Sequence, residues 1–500
     1  MLRGDLKVLA VPFVVFLFML WPLRGGFTDD GYIHIRYADN ILTLGEYSFN
    51  PGEVSYGTTS PLWVLMHAAA GRFTGGGESL IVVSTVLAWF SGFVSVWLVF
   101  LLARRLGLSI GFGIAAALSL AGHAWFARWT ALAMETSTAV AAILAAGYFS
   151  IQADQNRRQA MFFGFFMALA ALLRPEAYLL VPVFLLSVIL RRNRNWTAVA
   201  TSIAIYSAMI VPWLLFARLH IGTFLPNTAG AKSGGLVLNP IAFVQKLEPV
   251  VKIVASGEGI ALILVILGIV LLRQRSRLFS PAFRFILLWS VALPFVYVLF
   301  DIQVLSRYML LTSPFVIVLG FAALEEIVDG ERIGGVLSRV APLALAAISV
   351  VINAVFYVVV VVPPSRAFTY DLKNTLKGIG RYVHEHSNEG AVVAAADIGY
   401  LAFYSDRTVL DLGGLVDRTT HALREEHDYE KIVEQGLYLT LDKYPRVDFM
   451  IDREKEKNRF DGRVMNGYRF ESVRVERIEN LGIRKPGPYY YTLYKLHVDG

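Results

Sequence analysis

The chain contains no cysteine among its 500 residues, and charged residues make up only 17% of it. The absence of cysteine excludes disulfides and thiolate catalysis, and it removes the strongest ligand of protein zinc sites. The shortage of charge is equally informative, because soluble domains carry about 25% charged residues. With 56% hydrophobic residues and a mean hydropathy of +0.54, the composition is typical of a protein embedded in a lipid bilayer.

Apolar runs recur from the start of the chain to about residue 362. Each has roughly 16 to 24 residues, which is enough or nearly enough to cross a hydrocarbon core of about 30 Å as a helix. The first run follows Arg3 and Lys7 without a small-residue cleavage site, so we expect an uncleaved span. The sequence predicts about eleven transmembrane helices, at 8–23, 81–102, 108–122, 132–150, 158–172, 174–190, 196–217, 258–273, 282–300, 303–323 and 340–362.

The chain has a net charge of +7, but residues 363–500 hold 21 Lys and Arg against 22 Asp and Glu, a balance of −1. The basic excess therefore lies in the region of the apolar runs. Loops rich in arginine fall on one side of the alternating spans, which predicts that side to be cytoplasmic. The alternation then assigns the long loops 24–80 and 218–257, together with the C-terminal region, to the outer face. A basic excess distributed in this way does not support nucleic-acid binding.

From residue 363 the composition becomes that of a soluble domain. A charged helical stretch at 366–388 leads into an apolar run at 391–396. Strands at 408–411 and 447–451 alternate with a helix near 428–442, and the aromatic tail at 489–494 suggests added antiparallel strands. The prediction is therefore a transmembrane domain over 1–362 and an extracytoplasmic α/β domain with a partly parallel sheet over 363–500.

Two adjacent carboxylates, Asp29 and Asp30, follow the first span. Paired acids at a water–lipid boundary are useful where one of them acts as a base with a tuned pKa, although acids at an outer helix end can also be merely solvated. The residues after them, 32–42, have the apolar spacing of an amphipathic helix on the membrane surface. Ser60 before Pro61 predicts the start of a second helix.

Three segments of this loop, Asp29–Asn40, Phe49–Glu53 and Gly57–Trp63, resemble the first external loop of bacterial GT-C glycosyltransferases. The similarity is greatest to the branch that contains the terminal arabinofuranosyltransferases of mycobacterial cell walls. Gly31 stands where that branch more often has alanine. Shorter motifs extend the resemblance over nearly the whole chain, namely Ala133–Thr136 (a Gly-Met-Glu-Thr motif in the branch), Leu173–Glu176, Leu225–Thr228, Arg307–Tyr308, Asp397–Gly399 and Asp411–Leu415.

The resemblance implies an inverting transferase that moves one sugar from a polyprenyl-phosphate carrier to a cell-envelope glycan, glycolipid or protein acceptor. The reaction would occur at the outer face of the bacterial cytoplasmic (inner) membrane. Asp29 is the first choice of catalytic base, with Asp30 orienting the acceptor, sharing the role or exchanging it. Cations in the loops suit the growing negative charge of the phosphate leaving group. The expected substrate-binding residues are His34, Arg36, Tyr37, Glu135, Arg174, Asn227, Lys232, Arg307 and Tyr308.

Several of these residue patterns are also typical of structural roles. Arg36 can extend its guanidinium to the membrane surface. Arg174 and Glu176 can pair across a tight turn between two spans. Asp397 and Asp411 can end strands and bind backbone amides. Each of these alternatives predicts a contact that a structure can test.

We expect no cofactor, although Asp29, Asp30 and Glu135 supply the oxygen ligands that a hard divalent cation prefers. Two other functions stay open. One is a transporter or flippase of lipid-linked sugars, and the other is a glycan polymerase or ligase that uses a diphosphate-linked oligosaccharide. Transporters tend to have ionisable residues near the bilayer midplane and internal repeats. This sequence places its charges at span ends and has no repeat, which favours an enzyme.

Overall fold

The computed structural model describes residues 7–191, 193–224, 235–273, 276–330, 336–483 and 486–499. Within these residues the α-helices are, in chain order, α1 (Ala10–Leu20), α2 (Asp29–Leu44), α3 (Pro61–Thr74), α4 (Ser79–Arg105), α5 (Ile110–Ala121), α6 (Ala124–Ala131), α7 (Thr136–Ser150), α8 (Arg157–Leu173), α9 (Leu180–Ile189), α10 (Trp196–Phe216), α11 (Pro240–Leu272), α12 (Arg284–Leu299), α13 (Ser306–Met309), α14 (Ser313–Gly330), α15 (Val336–Phe356), α16 (Val362–Glu385), α17 (Gly399–Ser405), α18 (Arg418–Glu426) and α19 (Tyr429–Glu434). The strands are β1 (Val392–Ala395), β2 (Thr408–Asp411), β3 (Phe449–Glu454), β4 (Val464–Met465), β5 (Tyr468–Asn480) and β6 (Pro486–Val498).

The chain divides into two compact units. The helical unit comprises Met1–Arg24, Thr85–Trp213 and Lys232–Val362. The α/β unit comprises Gly25–Ser84, Leu214–Ala231 and Pro363–Gly500. The first predicted outer loop and the C-terminal region therefore belong to the same compact unit.

Apolar helices identify the chain as a membrane protein. In the described part of the chain, four segments are long and apolar enough to cross a bilayer, and α5 with α6, bent by 55°, can form a fifth span. Shorter apolar helices lie within other ranges that the sequence predicts to span. The count of eleven spans stays a prediction. The four long segments are Ser79–Arg105, Trp196–Ile221, Pro240–Leu272 and Val340–Glu385.

The second predicted outer loop, 218–257, is helical in its later part, and its assignment to the outer face stays a prediction. Helix α11 begins at Pro240 behind Asn239, whose side chain accepts hydrogen bonds from the backbone N–H groups of Ile241 and Ala242, a favourable N-cap. The helix departs from helical geometry at Glu258, with φ −109° and ψ 25°. Polar residues before this point interrupt the apolar pattern, so the sequence does not predict this part of the helix.

The predicted span 132–150 is interrupted at its start. Helix α6 ends at Ala131, α7 begins at Thr136, and between them Ala133 adopts φ +57°. Glycine adopts this left-handed conformation freely, and the Gly-Met-Glu-Thr motif of the similar branch has glycine at this position. Alanine reaches it at a cost of roughly 1–2 kcal/mol. The turn directs the chain into Glu135.

The sheet of the α/β unit has the strand order β2-β1-β3-β6-β5-β4. Strand β1 pairs in parallel with β2 and with β3, and Val393 lies opposite Val409 on one side and Phe449 on the other. Strands β6 and β5 continue the sheet in antiparallel order. The prediction of a partly parallel sheet with an antiparallel tail is confirmed.

The sheet packs on a core of buried apolar residues that includes Leu410, Met450, Phe470 and Tyr494. Strand β2 matches the predicted range, and β3 begins two residues later than predicted. The predicted helix near 428–442 is shorter, because α19 ends at Glu434 and a 3-10 turn follows at Leu437–Thr440.

The first predicted loop folds into helices α2 and α3, as its patterning predicts. The hydroxyl of Thr28 caps α2 by accepting a hydrogen bond from the backbone N–H of Gly31 at 3.1 Å, and Asp29 and Asp30 occupy the first turn, where acids are stabilised. A Cβ at position 31 would lie 2.6 Å from a ring carbon of Phe27. This close approach explains why glycine replaces the alanine of similar sequences.

Candidate functional site

The carboxylate of Asp29 is bound by the start of helix α17 in the α/β unit. The backbone N–H of Gly399 donates to Oδ2 at 3.0 Å, and the N–H of Tyr400 donates to Oδ1 at 2.9 Å. A Cβ at position 399 would overlap the backbone oxygen of Asp29, so this approach requires glycine. The motif Asp397–Gly399 of the C-terminal region therefore holds the first carboxylate of the first predicted loop.

Asp397 itself is held by side chains. Nη1 of Arg453 donates to its two carboxylate oxygens at 2.7 and 2.6 Å, and the hydroxyl of Tyr491 donates to Oδ2 at 2.6 Å. The expectation that Asp397 binds backbone amides is wrong, because side chains from β3 and β6 reach it. The same expectation is confirmed for Asp411, whose carboxylate accepts hydrogen bonds from the backbone N–H groups after β2.

Burial raises the pKa of Asp29 to about 7, and the negative charges of Asp397 and Asp30 act in the same direction. The two backbone N–H donors oppose this shift because they stabilise the ionised form. A carboxyl group with a pKa near neutrality can both accept and release a proton, as a general base must.

His34 and Tyr37, two predicted binding residues, are buried on α2. Nδ1 of His34 and the hydroxyl of Thr58 share a hydrogen bond of 2.7 Å. The hydroxyl of Tyr37 lies 2.6 Å from that of Ser55 and accepts the backbone N–H of Gly57 at 3.0 Å. These contacts tie α2 to the segment 55–58. Substrate binding by His34 and Tyr37 stays a prediction.

Arg36 is only 5% exposed, so the alternative that it extends to a membrane surface is wrong. Its Nε donates to the carbonyl oxygen of Phe49 at 3.3 Å, and its Nη1 donates to Asp406 at 2.9 Å. Asn50 makes a second connection, because its side-chain amide exchanges two hydrogen bonds of 2.9 Å with the backbone of Val409 in β2. The first loop is therefore anchored to the C-terminal sheet at several points. A binding role for Arg36 stays a prediction.

The helical unit contains a separate buried charged cluster. Arg174, 3% exposed, donates from Nη1 to Glu135 at 2.7 Å and from Nη2 to Glu176 at 3.0 Å. The pairing of Arg174 with Glu176 across the turn between two helices is confirmed. The hydroxyl of Tyr297 also donates to Glu176, at 2.9 Å. Nε of Arg174 and Oε2 of Glu176 have no hydrogen-bond partner within the described ranges.

Arg307 and Tyr308 belong to the same cluster. The guanidinium of Arg174 lies 4.9 Å from the ring centroid of Tyr308. The guanidinium of Arg307 lies 5.2 Å from the ring of Trp129 and 5.5 Å from that of Tyr308. The ring of Tyr308 stacks on Tyr297 at 5.8 Å. The structure thus brings together the predicted residues Glu135, Arg174, Arg307 and Tyr308.

Sequence reasoning missed Trp129, Tyr297 and Arg453 as members of these clusters. Trp129 and Tyr297 lie within apolar helices, where aromatic residues are ordinary, and Arg453 lies in a strand with no motif around it. No pattern in the sequence distinguishes them. Tyr491 lies in the aromatic tail, which the sequence identifies only as added antiparallel strands.

Asn227 and Lys232, the remaining predicted binding residues, lie outside the described residues. No group of three or more His, Asp or Glu side chains in the described parts of the chain is arranged to hold a metal ion. The expectation of no cofactor stays a prediction.

Comparison with solved structures confirms the resemblance seen in the sequence at the level of the fold. The structure is similar to ArnT from Cupriavidus metallidurans bound to undecaprenyl phosphate, with a TM-score of 0.62, 12% identity and 97% of each chain covered. At this identity the similarity establishes the fold alone.

Two further structures share the fold. AglB, the oligosaccharyltransferase of Archaeoglobus fulgidus, in complex with an inhibitory peptide and a dolichol-phosphate, has a TM-score of 0.63 at 12% identity, covering 90% of this chain and 69% of that one. The arabinofuranosyltransferase AftD from Mycobacteria has a TM-score of 0.52 at 15% identity, covering 98% of this chain and 40% of that one. Residues 367–494 match a family model described as a domain of unknown function, DUF8728. Comparison with curated protein sequences gives no match.

Proposed function

We propose that the chain is a glycosyltransferase that moves a single sugar from a polyprenyl-phosphate carrier to a cell-envelope acceptor. The reaction takes place at the outer face of the bacterial cytoplasmic membrane. The observation that carries this proposal is the carboxyl of Asp29, whose pKa of about 7 suits a base, in the first loop of a GT-C fold. The similarity to ArnT, which was crystallised with undecaprenyl phosphate, supports a lipid-phosphate carrier.

In the proposed step an acceptor hydroxyl attacks the anomeric carbon and forms the new C–O bond. The bond between that carbon and the phosphate oxygen breaks, and its electron pair leaves with the polyprenyl phosphate. A single displacement of this kind inverts the anomeric centre. Asp29 accepts the hydroxyl proton, since each of its oxygens keeps a second lone pair beside the backbone hydrogen bond. Asp30 orients the acceptor or shares the proton transfer.

The leaving phosphate requires cations as its negative charge grows. Arg174 and Arg307 of the helical unit suit phosphate binding, because guanidinium groups form strong hydrogen bonds with phosphate oxygens. The Nε donor of Arg174, which lacks a partner among the described atoms, is available for an added acceptor. Glu135 and Glu176 hold the guanidinium of Arg174 in one orientation.

A second candidate is transfer of an oligosaccharide from a lipid diphosphate. The similarity to the oligosaccharyltransferase AglB, with a TM-score of 0.63, favours this possibility as strongly as the similarity to ArnT favours the first. The chemistry of the base is the same in both reactions, so the donor is the property to test.

The test uses the full-length protein in nanodiscs with a panel of polyprenyl-phosphate sugars and one polyprenyl-diphosphate oligosaccharide. The release of lipid phosphate or diphosphate is measured with and without cell-envelope glycan. We expect turnover of a monophosphate donor, and we expect Asp29→Asn and Asp30→Asn to lower it by about 100-fold or more. The control is Asp442→Asn, because Asp442 is an exposed acid in the α/β unit.

Full activity in both loop variants would exclude catalysis by this loop. Turnover of the diphosphate donor alone would favour the second candidate. Transfer of a labelled lipid across vesicles without donor consumption would identify a transporter instead.

A further inference from the structure

A surface groove of about 540 Å³ lies entirely within the α/β unit. Helix α2 contributes Arg36 to its wall, the end of α16 contributes Arg381 and His384, and α17 contributes Phe403 and Tyr404. Ligand pockets in proteins usually measure about 300–1,000 Å³, so the groove is large enough for a molecule of several rings. The proposed reaction chemistry uses none of the five side chains.

The polar groups of the groove are held in defined positions. Arg36 is 5% exposed, and its contacts with Phe49 and Asp406 fix the guanidinium plane. Nδ1 of His384 lies 2.9 Å from the carbonyl oxygen of Ser405, to which only a protonated Nδ1 can donate. In the neutral ring Nε2 is therefore left as an acceptor. The groove thus combines oriented donors and acceptors.

The aromatic side of the groove is fixed as well. The rings of Phe403 and Tyr404 meet edge to face at 5.1 Å, and both residues are half-buried. The hydroxyl of Tyr404 lies 3.2 Å from that of Tyr32, 3.1 Å from Glu78 and 3.2 Å from Nζ of Lys377. These three contacts from α2, the α3–α4 connection and α16 prevent the ring from turning.

The charges along the groove do not favour an anionic ligand. Two guanidinium groups, those of Arg36 and Arg381, line it together with three carboxylates, those of Asp39, Glu385 and Asp406. A phosphate or a polyanion requires an excess of cations, which this wall lacks. Donors and acceptors beside an aromatic ring instead match the hydroxyl groups and the C–H face of an uncharged sugar.

The groove lies a short distance from the acidic pair along two helices. Asp29 binds the first residues of α17, whereas Tyr404 and Asp406 line the groove at the other end of this helix. A helix rises about 1.5 Å per residue, so about 9 Å separates the two ends. Arg36 lies seven residues after Asp29 on α2, so a similar distance separates these two residues along the helix. An acceptor with its reactive hydroxyl at Asp29 can therefore extend its next sugars into the groove.

We propose that this groove binds the non-reacting sugars of an uncharged oligosaccharide acceptor. The proposal rests on the glycosyltransferase function proposed above and specifies its acceptor. Phe403 provides the stacking face, and Arg381 and His384 provide hydrogen bonds to sugar hydroxyls. The C-terminal domain then selects the acceptor, whereas the carboxylates of the first loop take the proton.

The test measures binding of fluorescent hexasaccharides to the full-length protein in nanodiscs. The probes are neutral hexasaccharides of arabinose, mannose, galactose and glucose, with a hexagalacturonate as the anionic counterpart. We expect a neutral probe to bind the wild type, and Phe403→Ala and Arg381→Ala to weaken that binding at least about 10-fold. The matched controls are Tyr370→Ala, an aromatic residue 69% exposed on α16, and Arg446→Ala, whose side chain is 68% exposed.

Binding of no neutral probe, tighter binding of the hexagalacturonate, or full affinity in both groove variants would overturn the proposal. Because Arg381 is exposed, its variant is expected to fold even where Phe403→Ala does not. Donor turnover is measured on the same preparations. Binding of a neutral probe by a protein that consumes no donor would overturn the proposed transferase function but leave a glycan-binding groove. Failure of the transferase proposal can therefore be told apart from failure of the groove proposal.

Discussion

The two units of the molecule each contain a cluster of acidic and basic side chains, and the clusters differ in how their carboxyl groups are held. In the helical unit, Glu135 and Glu176 pair with the guanidinium of Arg174, near Arg307. In the α/β unit, Asp29 lies near two further carboxylates, those of Asp30 and Asp397, and Arg453 pairs with Asp397. We call the first the balanced cluster and the second the acidic cluster.

The difference teaches which task each cluster can perform. Buried acids that are paired with guanidinium groups stay ionised, and removal of one partner leaves an uncompensated charge. Burial raises the pKa of a carboxyl group, and neighbouring carboxylates add to the shift, as they do for Asp29. The balanced cluster suits the binding of a charged group, and the acidic cluster suits the acceptance of a proton.

The largest expected effect follows from the balanced cluster. Arg174→Met removes the cation that neutralises Glu135, which is 1% exposed. We expect a loss of about 3–5 kcal/mol in the free energy of unfolding, because breaking a buried pair leaves its partner uncompensated. The measurement is thermal unfolding of the purified protein, with Arg446→Ala as the exposed control. An unchanged melting temperature would contradict the buried pairing.

A smaller loss of stability is expected where the first loop meets the sheet. Asn50→Ala removes two hydrogen bonds and leaves the N–H and C=O groups of Val409 without them, which we expect to cost about 1–3 kcal/mol. Hydrogen exchange of the segments 48–58 and 408–411 should become faster. The control is Asn374→Ala, at an exposed position on α16, and equal exchange in both variants would show that Asn50 does not anchor the loop.

The acidic cluster predicts a pH dependence of donor turnover. The rate should fall below about pH 7, because protonated Asp29, whose pKa is about 7, cannot act as a base. Asp397→Asn removes a negative charge that raises this pKa, so the acidic limb of the profile should move to lower pH. The control is Asp442→Asn. If the acidic limb of the profile does not move in Asp397→Asn, the charge of Asp397 does not affect the pKa of the base.

The same pKa shift affects stability. The folded state holds the Asp29 proton more tightly than the unfolded chain, so the free energy of unfolding should decrease as pH rises from about 4 to about 7. Asp29→Asn should flatten this part of the stability profile. Urea unfolding at several pH values measures the slope.

The smallest effect concerns the turn before Glu135. Ala133→Gly removes the conformational cost of a left-handed alanine, which is roughly 1–2 kcal/mol. The same change removes a buried methyl group and gives the unfolded chain more conformational freedom, both of which lower stability. We expect a net change within about 1 kcal/mol. Ala139→Gly, in the buried interior of α7, should lower stability by more. Equal destabilisation by the two changes would contradict a strain at position 133.

Local signals in the sequence predict the elements of this protein well. Hydropathy identifies the four long apolar segments, the predicted strand at 408–411 is β2, and Ser60 before Pro61 marks the start of α3. Each of these features depends on residues that are close in the chain. The early start of α11 is the main exception, because a helix with polar residues has no sustained apolar run to reveal it.

The sequence by itself determined that the protein is a membrane protein with an α/β domain, that acids follow its first span, and that Arg174 can pair with Glu176. Tertiary structure alone decided that Asp29 binds the backbone of Gly399 and Tyr400, that Arg36 binds Asp406, and that Arg174 also binds Glu135. Hydropathy and helix starts follow from neighbouring residues. A hydrogen bond between groups 370 positions apart depends on the folded path of the whole chain, and burial then sets the pKa that makes the contact chemically useful.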